Sequence, residues 1–123
     1  NYEINKNIAK ILVLHRVWNG LNQTKVAKDL NVSFQQIQKY EKCMNRISAE
    51  MLIDICKKRK WDITLFMNNK PESILDEWIS ISNYPEEKSP YPLRADQITR
   101  KWKEIDRVGE DNYYRKHHFT KYV

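Results

Sequence analysis

Leu21-Asn22-Gln23-Thr24-Lys25-Val26-Ala27-Lys28-Asp29-Leu30-Asn31-Val32-Ser33-Phe34-Gln35-Gln36-Ile37-Gln38-Lys39-Tyr40-Glu41 holds two short helical patterns parted by one turn signal. Asn22 is a good N-cap, and the helix it opens, Gln23 to Leu30, turns Val26, Ala27 and Leu30 to one side. Asn31 tolerates a positive φ and so makes the turn. Val32 plugs the corner, and Ser33 caps a further helix from Phe34 to about Lys42, with Ile37 and Tyr40 facing inward. Two short helices crossing steeply need a small residue where their backbones approach, and Ala27 supplies it. The second helix then keeps Phe34, Gln35, Gln38 and Lys39 outside. A packed three-helix unit accounts for the apolar positions alone; it leaves unexplained an outer face made almost wholly of amides and a cation.

Outward from this core, Ile8, Ile11, Leu12 and Trp18 recur at helical spacing and predict a helix from about Asn5 to Trp18, stopped at Asn19-Gly20 with Gly20 in the left-handed position. Downstream, Ser48 caps a helix to about Lys58 that buries Met51 or Leu52 together with Ile55, and a short helix follows near Ile63 to Met67. Beyond residue 70, Ser73 to Ser82 carries Ile74, Leu75, Trp78 and Ile79 on one stripe, and Ala95 to Val108 repeats the pattern with Ile98, Trp102 and Ile105. Asn83 to Pro92, with three prolines, reads as a linker or an ordered loop between them. The fold class expected is all-α, with a unit over 1–70 and a helical extension over 71–123.

Composition narrows the function. The 123 residues carry 22 Lys/Arg and 16 Asp/Glu, a net charge of +6, with only two glycines. The charge is uneven: residues 1–70 hold +7, residues 71–92 hold −4, and residues 93–123 hold +3. A basic N-terminal unit suits a phosphate-rich partner. No apolar run reaches the length of a membrane span, and no secretory signal pattern is present, so a cytoplasmic protein is expected. Cys43 and Cys56 read as reduced structural thiols. There is no glycine-rich phosphate loop, no nucleophile–base arrangement and no metal-ligand spacing; adjacent His117 and His118 lack a third ligand. An enzyme, a cofactor and a metal site are therefore not expected.

The stretch from Leu21 to Glu41, with a wider match from about Ile8 to Met67 that takes in Asn45-Arg46-Ile47-Ser48, resembles the Cro/C1-type (XRE) helix-turn-helix family of phage-repressor-like DNA-binding proteins. The resemblance implies a five-helix domain whose third helix enters the major groove of double-stranded DNA. On that footing Gln35, Gln38 and Lys39 read bases, since glutamine pairs well with adenine and lysine reaches guanine acceptors. Phe34 either lies against a thymine methyl or folds back as a hydrophobic staple. Asn22, Gln23, Gln36, Lys42, Asn45 and Arg46 are the phosphate candidates, each of which is otherwise a solvated polar residue. The family also implies an ion pair between Arg16 and Glu41. Two departures stand out: Cys43 occupies a position where glycine is common, and Arg59 with Trp61 replaces the usual aliphatic closure.

A sequence-specific transcriptional regulator follows, most simply a repressor of phage or mobile-element type bound as a homodimer to a near-palindromic operator. Leu65, Phe66, Trp78 and Trp102 are candidate dimer contacts, with core closure the alternative for the first two. An antitoxin-like module, whose C-terminal helices hold a partner protein, is the competing expectation. The tail from Tyr113 to Tyr122 interleaves bases and aromatics, and reads either as an added phosphate contact or as a packed or frayed terminus.

Overall fold

A computed structural model describes residues 1–68, 70–82, 88–109 and 111. Its regular elements among these residues are all helices: α1 (Tyr2–Trp18), α2 (Gln23–Leu30), α3 (Phe34–Glu41), α4 (Ala49–Arg59), α5 (Leu65–Asn68), α6 (Pro71–Ile81) and α7 (Tyr91–Glu104), the last running into a wider π-type turn over Ile105–Gly109. None of the described helices is long and apolar enough to cross a membrane. The expected tail contact from Tyr113 to Tyr122 and residues 83–87 of the proline-containing connection fall outside the described residues.

The ends of the first four helices are set by side chains that serve orphan backbone donors. Asn1 accepts from the N–H groups of Glu3 and Ile4, so α1 begins three residues earlier than its apolar stripe suggests. Asn22 Oδ1 accepts from Lys25 N at 2.8 Å, Ser33 Oγ from Gln36 N at 3.1 Å and Ser48 Oγ from Met51 N at 3.1 Å. Gly20 and Asn31 take positive φ, 71° and 54°, at the two turns that flank α2. Cys43 does so as well, at φ 59°, which lets the chain leave α3 without a glycine while the thiol stays buried. Burial pushes the thiols of Cys43 and Cys56 up to about 11, and both are unpaired in disulfide terms.

α1 is the axis of the molecule. Ile11, Leu12, Val13 and Leu14 are all at most 1% exposed, so the helix is covered on every side rather than along one stripe. α3 packs on one flank, and α5, α6 and α7 close the others. Ile74 and Leu75 of α6 and Ile98 and Trp102 of α7 join the same core as Val26, Ile37 and Ile55. Trp102 Nε1 donates to the Lys10 carbonyl at 2.9 Å, and the buried Lys10 ammonium reaches Asp106 at 2.8 Å and Glu72 at 3.3 Å. Arg94 of α7 donates to the Trp18 carbonyl at 2.9 Å, against Gly20.

This arrangement corrects part of the dimer expectation. Phe66 and Trp102 are 3% and 4% exposed and spend their surfaces on the protein's own core, so neither is available to a second copy. Leu65 and Trp78 are half-buried and line a groove with Trp18, Trp61 and Tyr91. The physical reason is the four-residue apolar run in α1, which needs cover on the side that α2, α3 and α4 do not reach.

Candidate nucleic-acid interface

α2 and α3 are held at a fixed angle by one buried ionic knot. Arg16, near the end of α1, donates from Nε to Glu41 Oε2 at 2.5 Å and from Nη2 to Glu41 Oε1 at 2.8 Å. Both side chains are nearly fully buried. Arg16 Nη1 also donates to the Leu21 carbonyl at 2.9 Å, and Gln23 Nε2 donates to Glu41 Oε1 at 3.0 Å. Four bonds thus tie the end of α1, the start of α2 and the end of α3. Fully partnered charges in a dry setting fix geometry because no alternative arrangement satisfies them as well.

Behind the knot, Val26, Ala27 and Leu30 of α2 meet Ile37 and Tyr40 of α3. The Val32 N–H donates to the Ala27 carbonyl at 3.0 Å, so the corner between the helices is closed by the backbone as well as by side chains. At the far end, Arg59 Nε donates to Asp29 Oδ2 at 2.6 Å, which fastens the end of α4 to α2. Trp61 is half-buried against the core and its ring lies 4.9 Å from that of His15.

Held this way, α3 presents Phe34, Gln35 and Lys39 to solvent, with Gln38 half-buried between Gln35 and Lys39. Phe34 is 40% exposed, and one side of it borders a groove with the start of α2. Lys42 is exposed at the end of α3, Arg46 is exposed in the following loop, and Gln36 and Asn45 are half-buried. Two phosphate candidates have inward duties. The Asn22 oxygen is the α2 cap, and the Gln23 amide is bonded to Glu41. What the start of α2 offers outward is the set of leading backbone N–H groups and the positive end of the helix.

α1 also carries a buried histidine. His15 is 2% exposed and sits among three rings, with Trp61, Phe66 and Trp78 centroids at 4.9, 4.9 and 5.0 Å. Its Nδ1 lies 2.9 Å from the Ile11 carbonyl, which can only accept, so the proton is on Nδ1. Burial lowers its pKa to about 4, against the opposing pull of that hydrogen bond and of Asp62. The ring is therefore neutral packing rather than a proton donor at ordinary pH. Among the described residues no cluster of His, Cys, Asp or Glu is arranged to hold a metal ion.

A family model described as helix-turn-helix matches residues 14–58. Residues 14–58 are an XRE-type helix-turn-helix. The relatives agree. An uncharacterized HTH-type transcriptional regulator of Sinorhizobium fredii is 32% identical over 80 residues, 65% of this chain and 56% of that protein. An uncharacterized transcriptional regulator in the ATPase CF(0) region of Rhodospirillum rubrum is 49% identical over 49 residues, 40% of this chain and 45% of that protein. An HTH-type transcriptional regulator of Rickettsia conorii, also uncharacterized, is 34% identical over 77 residues, 58% of this chain and 62% of that protein. This helix-turn-helix chain spans about half the length of the curated relatives it matches. No solved structure matches it.

Proposed function

We propose that this protein is a sequence-specific DNA-binding transcriptional regulator, acting as a dimeric repressor on a near-palindromic operator. The observation that carries the reading is the outer face of α3. Its amides and ammonium stay uncovered by the described part of the extension, which packs on α1 instead. In this reading Gln35, Gln38 and Lys39 contact base edges and Phe34 meets a thymine methyl. Lys42, Asn45, Arg46 and Gln36 bond phosphates of one strand, and the start of α2, with Asn22 and Gln23 flanking it, takes a phosphate of the other. The names of the relatives, all transcriptional regulators, support the same class of activity.

One helix-turn-helix reads few base pairs, so two copies on half-sites about one DNA turn apart give a useful site. The described surface with the character of a dimer contact is the outer side of α6, where Ile79 and Ile81 are exposed beside half-buried Trp78. That same strip favours a second reading, an antitoxin-like module that holds another protein there. Molar mass in solution separates them: a dimer alone supports the repressor reading, and a monomer favours the second. The DNA reading is tested by selecting bound duplexes from a random pool with the parent and with Gln35→Ala. The parent should enrich a paired half-site, and Gln35→Ala should lose about 1–3 kcal/mol of discrimination at particular bases. An unchanged ranking of sites in the variant contradicts the placement of α3.

A further inference from the structure

The groove beside the start of α2 has a second bank. Asn22, Gln23 and Phe34 border it on the helix-turn-helix side, and Gln97, Arg100 and Lys101 of α7 border it on the other. This is the end of α2 at which the proposed reading sets a DNA strand, and the charges across the groove have the sign that a phosphate chain requires. Lys101 is half-buried at this edge, and none of the described carboxylates pairs with it. Arg100 is exposed and shares its charge with Asp96 one turn earlier, an exposed pair that competes weakly with a stronger anion. Of the other acids here, Asp106 is drawn away to Lys6 and Lys10 at the opposite end of α1, and Glu104 is exposed one turn beyond Arg100.

We infer that Arg100 and Lys101 form a second phosphate-binding edge, so that α7 grips the same DNA strand as the start of α2. The inference rests on the DNA-binding reading above. Its consequence is that the extension belongs to the DNA-binding surface: the packing of Trp102 against Lys10 positions cations beside the groove as well as closing the core.

The test uses the full chain and two duplexes, one that the parent selects and one of unrelated sequence. The affinity of the double variant Arg100→Gln, Lys101→Gln is followed across a salt series, with far-UV circular dichroism as the check on folding. Each phosphate contact contributes about 0.9 to the slope of log K against log salt, so the slope should fall by about 1.8. Affinity should fall on both duplexes alike, and preference between them should stay as in the parent. A single variant, Asp96→Asn, frees Arg100 and should tighten binding to both duplexes several-fold at low salt. A parental slope in the folded double variant overturns the inference while leaving the DNA reading intact. If the double variant does not fold, unchanged affinity in Asp96→Asn overturns it. A parent that binds neither duplex overturns the DNA reading, and this inference with it.

Discussion

Replacing Arg16 with methionine removes three of the four bonds that join α1, α2 and α3. Glu41, 3% exposed, would keep one neutral donor, the Gln23 amide, and the Leu21 carbonyl would lose its guanidinium partner. Breaking a buried ion pair by deleting one member costs about 3–5 kcal/mol, because the remaining charge stays desolvated without compensation. For a domain whose whole stability is about 5–15 kcal/mol, that is about a fifth of it or more. Removing both charges, as Arg16→Met with Glu41→Leu, takes the desolvated carboxylate away too and should recover most of the loss, short of about 1 kcal/mol for the stranded Gln23 amide. Urea unfolding of parent, both single variants and the double variant closes the cycle, with equal m-values as the sign that the unfolded states are comparable. If each single variant costs less than about 1 kcal/mol, as an exposed pair would, the knot does not hold α3 in place.

Three further outcomes follow from the same packing. His15 is held near pKa 4 in the fold against an ordinary value of 6.5, so the unfolded chain takes up a proton that the folded one refuses. Stability is full above pH 6.5 and declines as pH falls toward about 4, by up to about 3 kcal/mol; His15→Phe should flatten that decline, and equal pH slopes in the two proteins would refute the assignment. Trp102→Ala should cost about 3–5 kcal/mol and leave a single unfolding transition, because Trp102 belongs to the core shared with α1; a loss below about 1 kcal/mol would mean that α7 is dispensable to the fold. Gly20→Ala puts a Cβ 2.8 Å from the Arg94 guanidinium at a φ of +71°, displacing it from the Trp18 carbonyl, and thermal unfolding should report a loss of about 1–2 kcal/mol.

The paired helices were legible because their boundaries are local. Asn22, Asn31 and Ser33 act on backbone groups within three residues of themselves, so position in the sequence is position in space. Boundaries slipped where a stripe is faint or a proline was read as punctuation. α7 begins at Tyr91 and not at Ala95, since Pro92 suits the first turn of a helix as well as it suits a linker. The docking of the extension was not legible by spacing. Lys10 with Glu72, Trp18 with Arg94 and Lys10 with Trp102 join residues 62, 76 and 92 apart, and no periodicity encodes such pairs. A sign was present nonetheless: the unbroken run Ile11-Leu12-Val13-Leu14 is too apolar for a helix with one open side. Among the interface candidates, the inward turn of the Gln23 amide depends on a buried acid 18 residues away.

The account stands on α3 meeting DNA with its outer face, and backbone amide resonances followed while a selected duplex is titrated into the labelled protein test that most directly. Shifts concentrated on Phe34 to Lys42 and on the first turn of α2, with Leu65 and Trp78 little changed, are what it predicts. Shifts confined to the groove between α5 and α6, with Gln35, Gln38 and Lys39 silent, would contradict it.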